Sequence, residues 1–426
     1  MRLSLWPKSF SAIGSEAVLT IFTRLVILVA GLATSIITAR ILGPEGRGVY
    51  FYALTVATLV TQFGSLGFAS SNTYFVAREP SNVGPLAANS AWLSLLVFIV
   101  AGLVVSIVTG PERAPNLLML LAVLLGTSSL FFMLFSNLLV GMQRLVAFNL
   151  LQIGSNLSVV PAILIAAWLN GAPETLLAGS ILASLLFCLI AGIVLLRRRA
   201  FSPRPRLDVF RMSLNYSFRA FLITLIGYGV ARANVFILQA ASGNAEIGYY
   251  SIAVQIGDAL AILPTSISLV VFPHFIRQQS GRYGEMLRIT RLVTVLGLLS
   301  CIVAALLAGP FVRLAFGQDF APSLPVVYAM LPGSLFLGAA SVVSQYMAAC
   351  GMPWRTFLPW FGASATMAGA AWYLIPIHQA VGAAGALSMS YGVLLVLMVL
   401  VAMSQDRNDR SSGMVARKSV QPGETS

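Results

Sequence analysis

The 426 residues are 58% hydrophobic and only 9% charged, with a mean hydropathy of +0.89, far from the roughly 45–50% apolar and 25% charged of a soluble domain. That excludes a soluble protein and leaves no room for a sizeable extramembrane domain. A formal net charge of +13 would suggest nucleic acid in a soluble protein, but here the basic residues lie mostly between apolar runs, where they set membrane orientation.

The chain opens with a short interfacial or cytoplasmic stretch, residues 1–17, and the first long apolar run begins near Val18 and continues to Thr38. No early apolar region with a small-residue cleavage site precedes it, so it reads as a retained helix and not a signal peptide. Runs of about 20 apolar residues, interrupted by Gly, Pro and charges, predict spanning helices at about 18–39, 50–77, 85–109, 116–140, 146–169 and 175–196. A basic, proline-broken linker follows at 197–215, beginning Arg197-Arg198-Arg199 and including Pro203 and Pro205. It separates a first lobe, 18–196, from a second, 216–403. It either binds anionic headgroups or only fixes topology. The second lobe has predicted helices at about 216–241, 249–272, 288–309, 324–348, 356–376 and 380–403. The polar tail, 404–426, is expected to be disordered and cytoplasmic. The fold class is therefore all-α, a polytopic membrane protein of about twelve helices in two six-helix bundles.

With the N-terminus inside, the inside segments hold most of the basic residues, among them Arg78, Arg144, Arg197 to Arg199, Arg204 and Arg206. The outside segments hold only Arg40, Arg47, Arg113 and Arg313. The positive-inside rule then places both termini in the cytoplasm. Cys188, Cys301 and Cys350 are isolated and lack metal-ligand or disulfide spacing, so they read as packing residues and no metal or cofactor is expected.

The two halves echo one another. The segment from Ala39, ARILGPEGRGVYFYAL, and the segment from Gln239, QAASGNAEIGYYSIAV, each close one helix and open the next. At an offset of 200 residues Gly43 matches Gly243, Gly48 matches Gly248, Tyr50 matches Tyr250 and Ala53 matches Ala253. A second echo joins GMQR at Gly141 to GMPWR at Gly351, between the fourth and fifth helices of each group. Units with an even number of helices point the same way through the bilayer, which predicts a pseudo-twofold axis along the membrane normal and a substrate site near the midplane where the halves meet.

The run from Thr23 to Ala53, with its LGPEGRG loop, and the run IGYYSIAVQIGDALAILPTSISLVVFPHF from Ile247 to Phe275 resemble the polysaccharide-export flippases, the oligosaccharide branch of the multidrug/oligosaccharidyl-lipid/polysaccharide superfamily. The resemblance spans about residues 11 to 403. It implies a cationic central cavity and alternating access that carries undecaprenyl-pyrophosphate-linked oligosaccharide from the cytoplasmic to the periplasmic leaflet of a bacterial inner membrane. Implied partners are the lipid-linked oligosaccharide, membrane lipids, and the polysaccharide polymerase and assembly machinery, with no nucleic acid. The sugar and the pathway, whether O-antigen, capsule or exopolysaccharide, are not specified.

Candidate site residues come from physical cost. A charge near the bilayer centre costs at least ~2.5–3.5 kcal/mol on insertion scales, so ionisable residues within spans stand out. They are Arg24, Arg219, Arg232 and Asp258. Arg24 and Arg232 suit a pyrophosphate, since a guanidinium is a permanently charged fork of donors. Arg219, near its helix end, can instead snorkel to the headgroups. Arg232 has an alternative in a structural pair with Asp258, and Asp258 has one in ion coupling. Asn149, Gln152 and Asn156 put three amides on one face of the fifth helix, for sugar hydroxyls or for interhelical bonds. Asn137 and Gln345 are weaker candidates of the same kind.

Two other classes compete. A membrane-embedded polymerase or ligase needs a large outside loop or a cluster of acids and bases. Neither is visible, and His274 and His378 are far apart, so a non-enzyme is expected. An ion-coupled drug or metabolite exporter of the same superfamily shares the architecture but would carry a more acidic cavity than three arginines and one aspartate provide.

Overall fold

A computed structural model describes residues 14–109, 117–196, 205–277, 281–350 and 354–419. Residues 1–13, the segment 110–116 with Arg113, the first part of the basic linker (197–204), the start of the Gly351 echo and the last seven residues therefore lie outside the described residues. Within them the chain is helical, without a strand: α1 (Gly14–Gly64), α2 (Phe68–Arg78), α3 (Val83–Thr109), α4 (Leu117–Gly141), α5 (Leu145–Leu169), α6 (Pro173–Leu196), α7 (Leu207–Ser242), α8 (Asn244–Arg277), α9 (Arg282–Ala315), α10 (Ser323–Ala349) and α11 (Phe357–Ser419). Two of these are bent pairs of spans. α1 breaks helical geometry only at Gly43, and α11 only at Gln379. Ten long apolar stretches with two of them double give twelve crossings, in two groups of six.

The turns are tighter than the apolar runs suggest. A loop is expected between the first two spans, yet a single residue makes the bend: Gly43 takes φ 64° ahead of Pro44. Proline has no N–H for the preceding turn and disfavours helix in the residue before it, so the Gly-Pro pair is enough. The second predicted span, 50–77, is in turn interrupted. Leu66 (φ 45°) and Gly67 (φ 76°) separate the end of α1 from α2. Gly67 is required twice over, by its left-handed backbone and because a Cβ there would lie 2.8 Å from Ser217.

α7 starts at Leu207, well before the predicted 216, because nothing after Pro205 stops a helix from forming in the headgroup region. The expectation of a disordered tail from Ser404 is corrected in part. α11 runs on to Ser419, since Ser404-Gln405-Asp406-Arg407 continues the helix with no Pro or Gly before Gly413.

The chain divides into two compact units. The first comprises Met1–Tyr228, Asn244–Ser251 and Ala315–Asp319, and the second Gly229–Gly243, Ile252–Leu314 and Phe320–Ser426. The boundary falls inside α7, whereas the sequence suggests a division in the linker. In the first unit α4 is the central helix, packed against α1, α2, α3 and α6. Its Gly126 leaves room for close approach: a Cβ there would lie 2.5 Å from the Ala57 carbonyl oxygen, and the Thr61 hydroxyl donates to the Gly126 carbonyl at 2.8 Å. Small residues that let backbones touch are how membrane helices associate where the hydrophobic effect offers nothing.

In the second unit α10 packs along α11. The Ser388 hydroxyl bridges them, donating to the Ala329 carbonyl at 2.6 Å and accepting from the Gly333 amide at 3.0 Å. α4 and α10, the fourth spans of their groups, are the two most buried. α9, by contrast, shows an exposed apolar stripe of Leu292, Leu296, Leu299, Val303 and Leu306, a face suited to lipid.

Candidate functional site

The repeat has a physical counterpart in the backbone. Gly43 and its partner Gly243 both take positive φ, 64° and 89°. Tyr50 and Tyr250 are both buried, as are Ala53 and Ala253. Gly48 and Gly248 meet the opposite segment so closely that a Cβ on Gly48 would lie 1.7 Å from the Asn244 carbonyl oxygen, and one on Gly248 would lie 2.0 Å from that of Pro44. At an offset of 200, position 48 meets 244 while position 248 meets 44. That reciprocity is the mark of an isologous contact about a local twofold.

Arg47 sits in this junction and is the residue the sequence misplaces most. Assigned to an outside loop, it is 3% exposed. Its Nε donates to the Ser251 hydroxyl at 3.2 Å, one terminal nitrogen to Ser35 at 2.9 Å and the other to Thr38. Its guanidinium carbon lies 5.8 Å from the centre of the Tyr50 ring. No carboxylate pairs with it among the described residues. Hydroxyl dipoles and a π face hold this cation, and they join two turns of α1 to the first turns of α8.

The predicted ionisable residues fall in different places. Arg24 is half-buried in α1 and makes no ion pair among the described residues. The side chain of Arg219 lies outside the described residues, although its backbone belongs to α7. In the second unit Arg232 of α7 faces Asp258 of α8 at 3.6 Å, with the arginine side chain 20% and the aspartate 65% exposed. The three amides of α5 do not behave alike. Asn149 is buried, donating to the Leu145 carbonyl at 2.9 Å and the Thr20 hydroxyl at 3.3 Å. Asn156 donates to the Gln152 carbonyl of its own helix at 2.9 Å, and Gln152 is half-buried. Cys188, Cys301 and Cys350 are free thiols, the first two buried. No metal-binding cluster occurs among the described residues.

A separate cavity of about 800 Å³ opens where the C-terminal ends of α2 and α4 meet the first turns of α7, all within the first unit. Tyr74 and Tyr216 stack beside it, ring centres 4.4 Å apart and 16° from parallel. Phe75 abuts both rings edge-on. Arg78 and Asn137 complete its polar lining with Ser70 and Thr73. The start of α7 is held there by Asn89, which donates to the Arg206 carbonyl at 3.0 Å and accepts from the Arg206 amide at 2.9 Å, and by Phe210 against Phe68, 4.9 Å between centres. Partial burial, and then Tyr74, push the Tyr216 phenol above its ordinary pKa. Of this group the sequence points only to Asn137. The two tyrosines are separated by most of the first lobe, and only the early start of α7 brings them together.

A family model described as polysaccharide biosynthesis protein matches residues 14–279. Among solved structures, the lipid II flippase MurJ in an inward closed conformation superposes with a TM-score of 0.75 at 14% identity, over 91% of this chain and 87% of that one. An inward-facing multidrug resistance MATE family transporter of the MOP superfamily gives 0.70 at 14% identity, over 90% and 98%. A MOP superfamily transporter from Pyrococcus furiosus, noted for the reverse polarity of its binding pocket, gives 0.63 at 13% identity, over 91% and 94%. At these identities the likeness is one of fold. No curated protein sequence matches the chain.

Proposed function

The chain belongs to the polysaccharide biosynthesis protein family, and from that premise we propose that it moves a polyprenyl-pyrophosphate-linked oligosaccharide from the cytoplasmic to the outer leaflet of a bacterial cytoplasmic membrane. Both termini would be cytoplasmic, as the distribution of Arg and Lys supports. The observation that carries the reading is a transporter fold in a family defined by polysaccharide synthesis. A protein of that fold contributes to making a surface polymer by moving its membrane-bound precursor. One structural relative is itself described as a lipid II flippase.

The physical requirement is a wet, charged path. A sugar chain and a pyrophosphate cannot cross hydrocarbon without hydrogen-bonding partners. Asp258 is exposed within its span, which is tolerable only against water. The Arg232 guanidinium beside it retains some exposure, so an incoming pyrophosphate can exchange for the carboxylate. Arg24, half-buried and without an ion pair among the described residues, is proposed as a further phosphate contact. Arg219 and Gln152 are proposed as further contacts for phosphate and sugar, while Asn149 and Asn156 bond within the first unit.

The test is flipping of a fluorescent polyprenyl-pyrophosphate oligosaccharide in proteoliposomes at matched levels of folded protein. Arg24→Ala or Arg232→Ala is expected to abolish it, and normal flipping by both variants would overturn the assignment. A second reading, an ion-coupled exporter, is favoured by the same exposed Asp258. It predicts that Asp258→Asn stops efflux of an organic cation that wild type carries down an imposed ion gradient.

A further inference from the structure

We propose that the cavity between α2, α4 and the first turns of α7 is a glycosyl-phosphate subsite, with Tyr74 and Tyr216 as the platform for a pyranose ring and Arg78 as the anchor for the adjoining phosphate. The identity of the carrier rests on the function proposed above. The subsite itself rests on other residues.

The volume, about 800 Å³, lies within the range typical of small-molecule sites. Its aromatic wall is prearranged. Buried Phe75 braces Tyr74 and Tyr216, and the two rings remain 39% and 45% exposed. Two aromatic rings stacked at an open wall present a flat face to a ligand. The negative face of an aromatic ring attracts the weakly positive C–H edge of a sugar ring, whereas a hydrocarbon tail has no use for the polar groups around this wall. The Ser70 hydroxyl is exposed and makes no hydrogen bond among the described residues. Asn137 uses one N–H on the Met133 carbonyl at 2.8 Å, which leaves its other N–H for a sugar hydroxyl.

The charge balance selects an anion. Arg78 is exposed and makes no ion pair among the described residues. The neighbouring acid is occupied: the Glu79 carboxylate accepts from Ser81 at 2.7 Å and from Asn82 at 3.4 Å. Asp208 is likewise engaged by Arg206. The cavity lining therefore contains one guanidinium and no carboxylate, and a guanidinium fork fits a phosphate. With the orientation the basic loops imply, this end of the helices faces the cytoplasm, where the substrate is loaded. A lipid-linked saccharide and a soluble sugar phosphate share this chemistry.

The experiment measures binding to the full chain in lipid nanodiscs with three probes: citronellyl-pyrophosphoryl N-acetylglucosamine, citronellyl pyrophosphate, and N-acetylglucosamine 1-phosphate. Wild type is expected to prefer the first over the second by about fivefold or more. Tyr74→Leu and Tyr216→Leu should erase that preference without weakening the sugarless probe, and Tyr74→Phe should retain it. Arg78→Gln should weaken both lipid probes alike. Soluble sugar phosphate binding as tightly as the lipid-linked probe, with the same response to the variants, would assign the subsite to soluble sugar phosphates. A preference that survives both leucine variants, or is lost in Tyr74→Phe, overturns the subsite alone. Wild type that binds none of the three overturns the proposed function with it.

Discussion

Replacing Gly48 by alanine puts a methyl group 1.7 Å from the Asn244 carbonyl oxygen, where real contacts do not fall below 3.0 Å. The backbones of α1 and α8 must therefore move apart by more than 1 Å. The adjacent bond from Arg47 to Ser251, 3.2 Å long, cannot survive that opening. Overpacking of this kind costs roughly 1–3 kcal/mol, and a lost hydrogen bond to a charged group adds about 1.5–3 kcal/mol. Gly248→Ala meets the Pro44 carbonyl at 2.0 Å and should cost nearly as much. Because one opening relieves both clashes, the double variant should be destabilised little more than either single one, a coupling of roughly 2 kcal/mol. Reversible unfolding of the purified protein in mixed micelles gives these differences directly. Gly102→Ala and Gly369→Ala, where a Cβ meets nothing within 4 Å, serve as controls and should be neutral or slightly stabilising. Additive penalties for Gly48 and Gly248, or a neutral single variant, would refute the reciprocal contact.

Arg47→Lys keeps the charge but cannot reach Ser35, Thr38 and Ser251 together, so the same assay should show a loss of about 1–3 kcal/mol. A double-mutant cycle on Arg232→Gln and Asp258→Asn should give a coupling below about 1 kcal/mol, because at 3.6 Å the pair is longer than a charge-assisted hydrogen bond. The hydrogen bond from Arg206, with its charge, holds the Asp208 carboxyl below its ordinary pKa. The pair's contribution to docking the start of α7 is thus present above the unfolded carboxylate pKa and disappears as pH falls through the lowered folded value. Hydrogen-exchange protection of residues 207–216, taken relative to the intrinsic rate at each pH, should fall over that acid window in wild type and stay flat in Asp208→Asn. Maleimide labelling of the native protein should modify partly exposed Cys350 well before buried Cys188 and Cys301, and Cys350→Ser should remove the fast phase.

The crossings are legible because each is a long, predominantly apolar stretch with few charges, and the repeat is legible because the backbone geometry it encodes favours glycine at two positions per copy. What local patterns cannot show is which end of a run stays helical outside the bilayer. Residues 207–215 read as the close of a linker, yet they form the first turns of α7 and deliver Tyr216 to Tyr74. The break at Leu66-Gly67 is hidden because both residues suit an apolar span, and what makes the glycine necessary, its positive φ and the approach of Ser217, is set by the fold. Arg47 was read as a loop residue for the opposite reason. Flanked by Gly46 and Gly48, it has the surroundings of a turn, and its cage comes from Ser35 and Thr38 earlier in α1 and from Ser251 on α8. The amides of α5 show the limit of helical spacing as a guide. Three residues on one face do three different things, and packing against Thr20 decides for Asn149.

The central claim is that the transported molecule is a lipid-linked saccharide. The most direct test reconstitutes wild-type protein into proteoliposomes and follows, in parallel, the flipping of a fluorescent polyprenyl-pyrophosphate oligosaccharide and the uptake of ethidium under a proton or sodium gradient. The account predicts flipping of the saccharide lipid with no ethidium transport above empty liposomes. Ethidium transport driven by the gradient, with no flipping of the saccharide lipid, would contradict it.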